Sequence, residues 1–110
     1  MADIRCKTLR IKTGVVKRLA KEVTTYEKEA EQQRERIEKL KTEGADEYIL
    51  RKQEEVLQES LMMIPDCQKR LLASHAELKA LVDGETDMEE VEEYKQAVLV
   101  LSDVHAFLNR

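Results

Sequence analysis

Leu57-Gln58-Glu59-Ser60-Leu61-Met62-Met63-Ile64-Pro65-Asp66-Cys67-Gln68-Lys69-Arg70-Leu71 is the stretch whose reading decides the fold. Leu57, Ser60, Ile64, Cys67 and Leu71 recur at alternating steps of three and four residues, the spacing of one helical face. Pro65 lies inside that series. A proline in a helix interior removes a backbone hydrogen bond and clashes with the preceding turn, at about 3 kcal/mol. A true break would let the phase wander, yet the phase holds across Pro65. The spacing therefore predicts one helix kinked at Pro65 rather than two helices. Outward from this stretch the series begins at Leu50 and Gln53 and continues through Ser74, Leu78 and Leu81.

Two further seams of the same kind flank it. One runs Val16, Leu19, Val23, Tyr26, Ala30, Gln33, Ile37, Leu40; the other runs Val91, Tyr94, Val98, Leu101, His105, Leu108. Upstream of Val16 the phase is muddled, because Ile4, Ile11 and Val15 lie on a neighbouring stripe. A seven-residue repeat implies left-handed coiled-coil packing. The breaks fall at Gly44 and Gly84. Asp46 suits an N-cap after the first, and Thr86 with Glu89 suits a capping box after a left-handed Gly84. The expected fold is all-α: an elongated antiparallel three-helix bundle in a single domain, 1–110, with helices at about 2–42, 46–82 and 87–108. Residue i of the first helix then lies opposite about residue 88 − i, and residue i of the second opposite about 168 − i. The third helix would end beside Ser60 and leave a bare hairpin over roughly 29–60.

Composition agrees with long helices and narrows the function. Of 110 residues, 38% are charged and 4% aromatic, with one Pro and three Gly, too few turn formers for a sandwich or barrel. No apolar run is long enough to span a membrane, and the N-terminus lacks the apolar core of a secretory signal. A soluble intracellular protein is expected. Cys6 and Cys67, like His75 and His105, have no metal or disulfide spacing. The glycines make neither a dinucleotide nor a phosphate loop, and the acids make no calcium loop. A narrow bundle offers no pocket of ligand-site volume. No catalytic, cofactor-binding or metal residue is expected, and the chain is not an enzyme.

The net charge of −4 argues against nucleic acid. The charges are segregated: seven bases and one acid up to Lys21, against seven acids and no base from Asp83 to Tyr94. In an up-down-up bundle these blocks lie side by side. The basic amphipathic stretch Ile4 to Val23 could otherwise bind an anionic membrane or a calmodulin-like partner, but it has no Trp or Phe anchor and its counter-charge lies within the chain.

Three segments, Lys12-Thr13-Gly14-Val15-Val16-Lys17-Arg18-Leu19, Leu57 to Gln68 and Glu92-Glu93-Tyr94-Lys95, resemble the tubulin-binding cofactor A family. The resemblance implies a three-helix, cytoplasmic and cytoskeleton-associated tubulin-folding cochaperone. It would capture quasi-native β-tubulin after chaperonin release and hold it for the cofactors that build αβ-heterodimers, partnering those cofactors indirectly and using no nucleotide or metal. The alternative is a structural coiled-coil subunit or adaptor whose seams associate with other helices. On the bare hairpin, Tyr48, Lys52, Val56, Glu59 and Met63 form one stripe beside the seam, a mixture of apolar anchors and both charge signs suited to protein binding.

Overall fold

The computed structural model describes residues 3–110. Among them are three α-helices, α1 (Ile4–Thr42), α2 (Glu47–Gly84) and α3 (Glu92–Leu108), with a 3₁₀ turn at Thr86–Met88 and no strand. The expected start at residue 2 lies outside the described residues. Among these, α1 opens on Asp3, whose Oδ1 accepts the Arg5 backbone N–H at 2.9 Å as an N-cap does. α2 runs through Pro65 without interruption.

The first turn is built as its residues require. Gly44 has φ +78°, the left-handed conformation that costs a residue with a Cβ. Its N–H donates to Lys41 O at 3.1 Å and that of Ala45 to Leu40 O at 3.0 Å, the paired bonds of a Schellman close. Asp46 then caps α2, its Oδ1 accepting the Ile49 N–H at 2.9 Å.

The second turn departs from expectation. Gly84 is not left-handed; it is the last residue of α2. No capping box forms on Thr86, which opens the 3₁₀ turn, and α3 begins at Glu92 rather than at residue 87, with Val91 at its cap. Met88 explains the difference: it is buried, and burying that side chain holds the segment in a tight turn that a continued helix would not give.

The chain forms two compact units. One joins the described residues up to Lys21 with Lys69–Arg110, and the other is Glu22–Gln68. In the first, three helical segments enclose a core of Leu9, Val16 and Leu19 from α1, Leu71, Leu78 and Val82 from α2, and Ala97, Val100 and Val104 from α3. Arg5 bonds Glu85, and Lys12 pairs with Glu77, so α1 and α2 are antiparallel there. The second unit is an antiparallel hairpin. Gln33 Nε2 donates at 2.9 Å to both the backbone and the side-chain oxygen of Gln53, and the Cys67 thiol lies 3.7 Å from Glu22 Oε2. These pairs match the expected register of the first turn.

The register of the second turn is different. His75 Nε2 donates to Leu101 O at 3.0 Å and Tyr94 Oη to Val82 O at 3.3 Å. Those pairs are displaced by about two helical turns from the expected register. The longer connection through the 3₁₀ turn is the cause, and it brings the end of α3 to the level of about Lys69 rather than Ser60. The seam of α3 also differs. Ala97, Val100 and Val104 are buried, whereas His105 is exposed and Val98 is 44% exposed. Upstream of Val16 the seam stays clean: Leu9 is in phase, and Thr13 is buried with its hydroxyl donating to Leu9 O at 2.6 Å. Ile4 and Ile11 are exposed.

Candidate functional site

The stripe expected on the hairpin lies on solvent. Tyr48 is 66% exposed, Val56 46% and Met63 40%, and Lys52 and Glu59 are exposed between them. It therefore does not cover the hairpin seam. Lys52 Nζ lies 5.6 Å from the Tyr48 ring centroid and 3.7 Å from Glu55 Oε2. Both contacts are local to α2, and exposed pairs of this kind hold a side chain weakly.

Sequence reasoning passed over Ile49, which is 42% exposed. Its neighbour Leu50 carries the hairpin seam and is half-buried, so the apolar pair was absorbed by that seam. With Ile49 included, the exposed positions are Ile49, Lys52, Val56, Glu59 and Met63, a strict three-four repeat one position away from the seam. α2 thus has two adjacent seams in the hairpin, one used within the chain and one open.

Surface grooves run beside both helices of the hairpin. One, of about 530 Å³, is lined by residues including Arg36, Lys39, Ile49 and Gln53; another, of about 350 Å³, by residues including Arg34, Lys41, Glu54 and Leu57. In the three-helix unit, Arg10, Thr13, Gly14 and Lys17 of α1 face Glu92, Glu93, Gln96 and Val100 of α3 across a groove of about 330 Å³. These volumes reach the lower range of small-molecule sites, contrary to the expectation of no such space. Their walls mix charged side chains with apolar surface from residues such as Ile49, Leu57 and Val100, and carry no convergent catalytic set.

The two charge blocks do meet. Arg5 Nη1 lies 2.7 Å from Glu85 Oε2 and 3.0 Å from Asp87 Oδ2, and Nη2 lies 2.8 Å from Asp3 Oδ2. The Arg5 side-chain hydrogen bonds, and then its backbone N–H, hold the Asp3 carboxyl below the usual carboxylate range. The same carboxylates raise the affinity of the guanidinium for its proton. Both cysteines are free, Cys67 buried and Cys6 half-buried. Among the described residues no cluster of His, Cys, Asp and Glu could hold a metal, and no helix is long and apolar enough to cross a membrane.

Comparison with known proteins places this arrangement. The family described as tubulin binding cofactor A matches residues 4–101. Tubulin-specific chaperone A of Bos taurus is 60% identical over 104 residues, covering 94% of this chain and 96% of that protein. Two solved structures share the fold. Human tubulin chaperone cofactor A superposes with a TM-score of 0.79 at 54% identity, over 92% of this chain and 98% of that one. Tubulin folding cofactor A from Arabidopsis thaliana does so with a TM-score of 0.85 at 40% identity, over 94% and 97%. Proteins of this group are chaperones and not enzymes, which agrees with the absence of a catalytic motif in the sequence. The chain belongs to the tubulin binding cofactor A family.

Proposed function

We propose that this chain is a tubulin-folding cochaperone that captures quasi-native β-tubulin and holds it on the way to αβ-heterodimers. The observation that carries the reading is near-full-length identity of 60% to a tubulin-specific chaperone A. Capture is stoichiometric: binding withdraws a folding intermediate from competing associations by mass action. It needs neither nucleotide nor metal, and the later tubulin cofactors are met indirectly, through the client. Such a role belongs in the cytoplasm, beside the cytoskeleton. For this role we read 1–110 as one working domain, with left-handed supercoiling of its seams and a bend of α2 at Pro65; the heptad spacing and the position of the proline support both.

The stripe Tyr48, Lys52, Val56, Glu59 and Met63 contributes to capture. It is open, mixes apolar anchors with both charge signs, and stands on rigid helix rather than loop. Native gel electrophoresis of chaperonin-released β-tubulin, with α-tubulin as control, tests the function: the chain shifts β-tubulin alone. The double substitution Lys52→Glu, Val56→Ser tests the surface. Binding falls severalfold while helix content and melting temperature stay near those of the parent, because both side chains are exposed. Full binding by that variant would move the site to the basic segment of α1 around Lys17 and Lys21.

A further inference from the structure

The methionines among the described residues meet solvent very differently. Met62 is 72% exposed and Met63 40%, side by side on α2 in the hairpin, whereas Met88 in the three-helix unit is 2% exposed. Met62 belongs neither to the seam of α2 nor to the stripe, so neither accounts for so open an apolar side chain. A thioether sulfur has no proton to lose before it reacts, so access to solvent governs its oxidation. Pro65 adds to that access. It has no N–H to offer the Leu61 carbonyl, so the turn bearing both methionines is held by one backbone bond fewer. The thiols are less open, Cys67 buried and Cys6 half-buried, and a thiol must also ionise before it attacks.

We infer that Met62 and Met63 form a sulfoxidation site for hydrogen peroxide, and that the sulfoxide of Met63 weakens client capture. A sulfur lone pair attacks one peroxide oxygen, so that the S–O bond forms as the O–O bond breaks. The departing hydroxide takes the proton from the transferred oxygen and becomes water. Sulfur is oxidised, and the peroxide reduced, by one electron pair. The consequence rests on the tubulin reading, because Met63 ends the stripe assigned to capture and Met62 lies outside it. A sulfoxide at Met63 puts a strong dipole where an apolar anchor is desolvated against the client. A polar group buried there without a partner opposes binding. Met62 is the more open sulfur, so it reacts first and consumes peroxide ahead of Met63.

The test exposes the full chain to hydrogen peroxide, stops the reaction with catalase and reverses thiol oxidation with dithiothreitol before β-tubulin is added. Tandem mass spectrometry reads the order of oxidation without tubulin: Met62 first, then Met63, with Met88 about tenfold slower or more. Native gels with chaperonin-released β-tubulin read the consequence. The parent loses about fivefold or more in apparent affinity once Met63 is converted. Met62→Leu loses as much on treatment as the parent does, whereas Met63→Leu keeps whatever affinity it had before treatment. Untreated Met63→Gln, with an amide dipole in place of the sulfoxide, binds as weakly as the treated parent. Circular dichroism shows the same helix content before and after treatment. Oxidation of Met88 as fast as that of Met63 overturns the inference. So does undiminished binding once Met63 is converted, a loss on treating Met63→Leu, or a loss of helix on treatment. A parent that shifts no β-tubulin before treatment overturns the function reading and the consequence together, while the order of oxidation is still judged by mass alone.

Discussion

The two compact units are made from the same two long helices and differ in how completely they bury them. In the three-helix unit, α2 hides Leu71 and Leu78 entirely. In the hairpin, Leu50, Gln53, Leu57, Ser60 and Ile64 continue the same seam but are only half-buried; among the described residues of Glu47–Gln68, Cys67 alone is fully withdrawn. α1 is less affected, with Val16 and Leu19 buried in one unit and Val23, Ala30 and Ile37 in the other. A helix pair can cover its central seam but not both flanks; a third helix closes one of them. Stability should therefore concentrate where three segments meet, and binding where two do. The hairpin spends part of its seam on specificity instead: Gln33 is buried and bonded twice to Gln53, which fixes register at some cost in apolar burial.

The largest effect expected from this contrast is in paired leucine truncations. Leu78→Ala removes a fully buried side chain from the three-helix core and should cost about 2–5 kcal/mol in urea unfolding. Leu57→Ala removes a half-buried one from the hairpin and should cost about 1–2 kcal/mol, since part of its surface already meets water. Equal losses would mean that the hairpin core is as tight as the other and would remove the contrast.

How far the sequence disclosed this follows from how unambiguous each apolar pattern was. The α2 series was legible because its three-four phase holds from Leu50 to Leu81; every one of Leu50, Gln53, Leu57, Ser60, Ile64, Cys67, Leu71, Ser74, Leu78 and Leu81 is buried or half-buried. In α3, Ala97-Val98-Leu99-Val100-Leu101 is apolar at every position, so periodicity supports several faces equally. Packing against α1 and α2 selected Ala97 and Val100 and left Val98 and Leu99 outside. The second turn misled for a related reason. Thr86 and Glu89 have capping spacing, but local capping is worth about 1 kcal/mol and burial of Met88 outweighs it. The exposed positions of the proposed stripe were readable apart from Ile49, whose neighbour Leu50 carries the hairpin seam.

A smaller effect, of opposite sign in the two units, is expected from identical substitutions at glycine. Gly14 sits in the interior of α1 in the three-helix unit, and a Cβ there would meet nothing within 4 Å. Gly14→Ala should stabilise by about 0.5–1 kcal/mol through helix propensity and a less disordered unfolded chain. Gly44 closes α1 in the hairpin at φ +78°, also with open space around it. Gly44→Ala should destabilise by about 1–2 kcal/mol, from backbone conformation alone. Thermal melts followed by circular dichroism measure both, and a loss from both would show that Gly14 is needed for something other than helix.

The smallest effect concerns the charges, and it contrasts an ion-pair cluster that bridges distant parts of the chain with pairs along one helix. In the hairpin, the pairs Arg34–Glu31 and Lys52–Glu55 join neighbours on one helix. In the three-helix unit, Arg5 reaches from the start of α1 to Glu85 and Asp87 at the connection before α3, so its loss loosens a chain crossing. All these groups face solvent, and salt screens them. Arg5→Ala should lower the melting temperature slightly at low salt and neutral pH, with most of the difference gone near 1 M salt. Arg34→Ala should do less in either condition. The acid dependence follows from Asp3, which Arg5 holds below its usual value. A carboxyl harder to protonate in the folded chain than in the unfolded one adds stability above its unfolded pKa, and that stability is lost as pH falls through the folded value. Arg5 itself stays charged throughout. The gap between parent and Arg5→Ala should therefore be constant from neutral pH down to the ordinary aspartate range and close below it. A gap that persists in acid would assign the Arg5 effect to packing of its aliphatic stem rather than to its carboxylates.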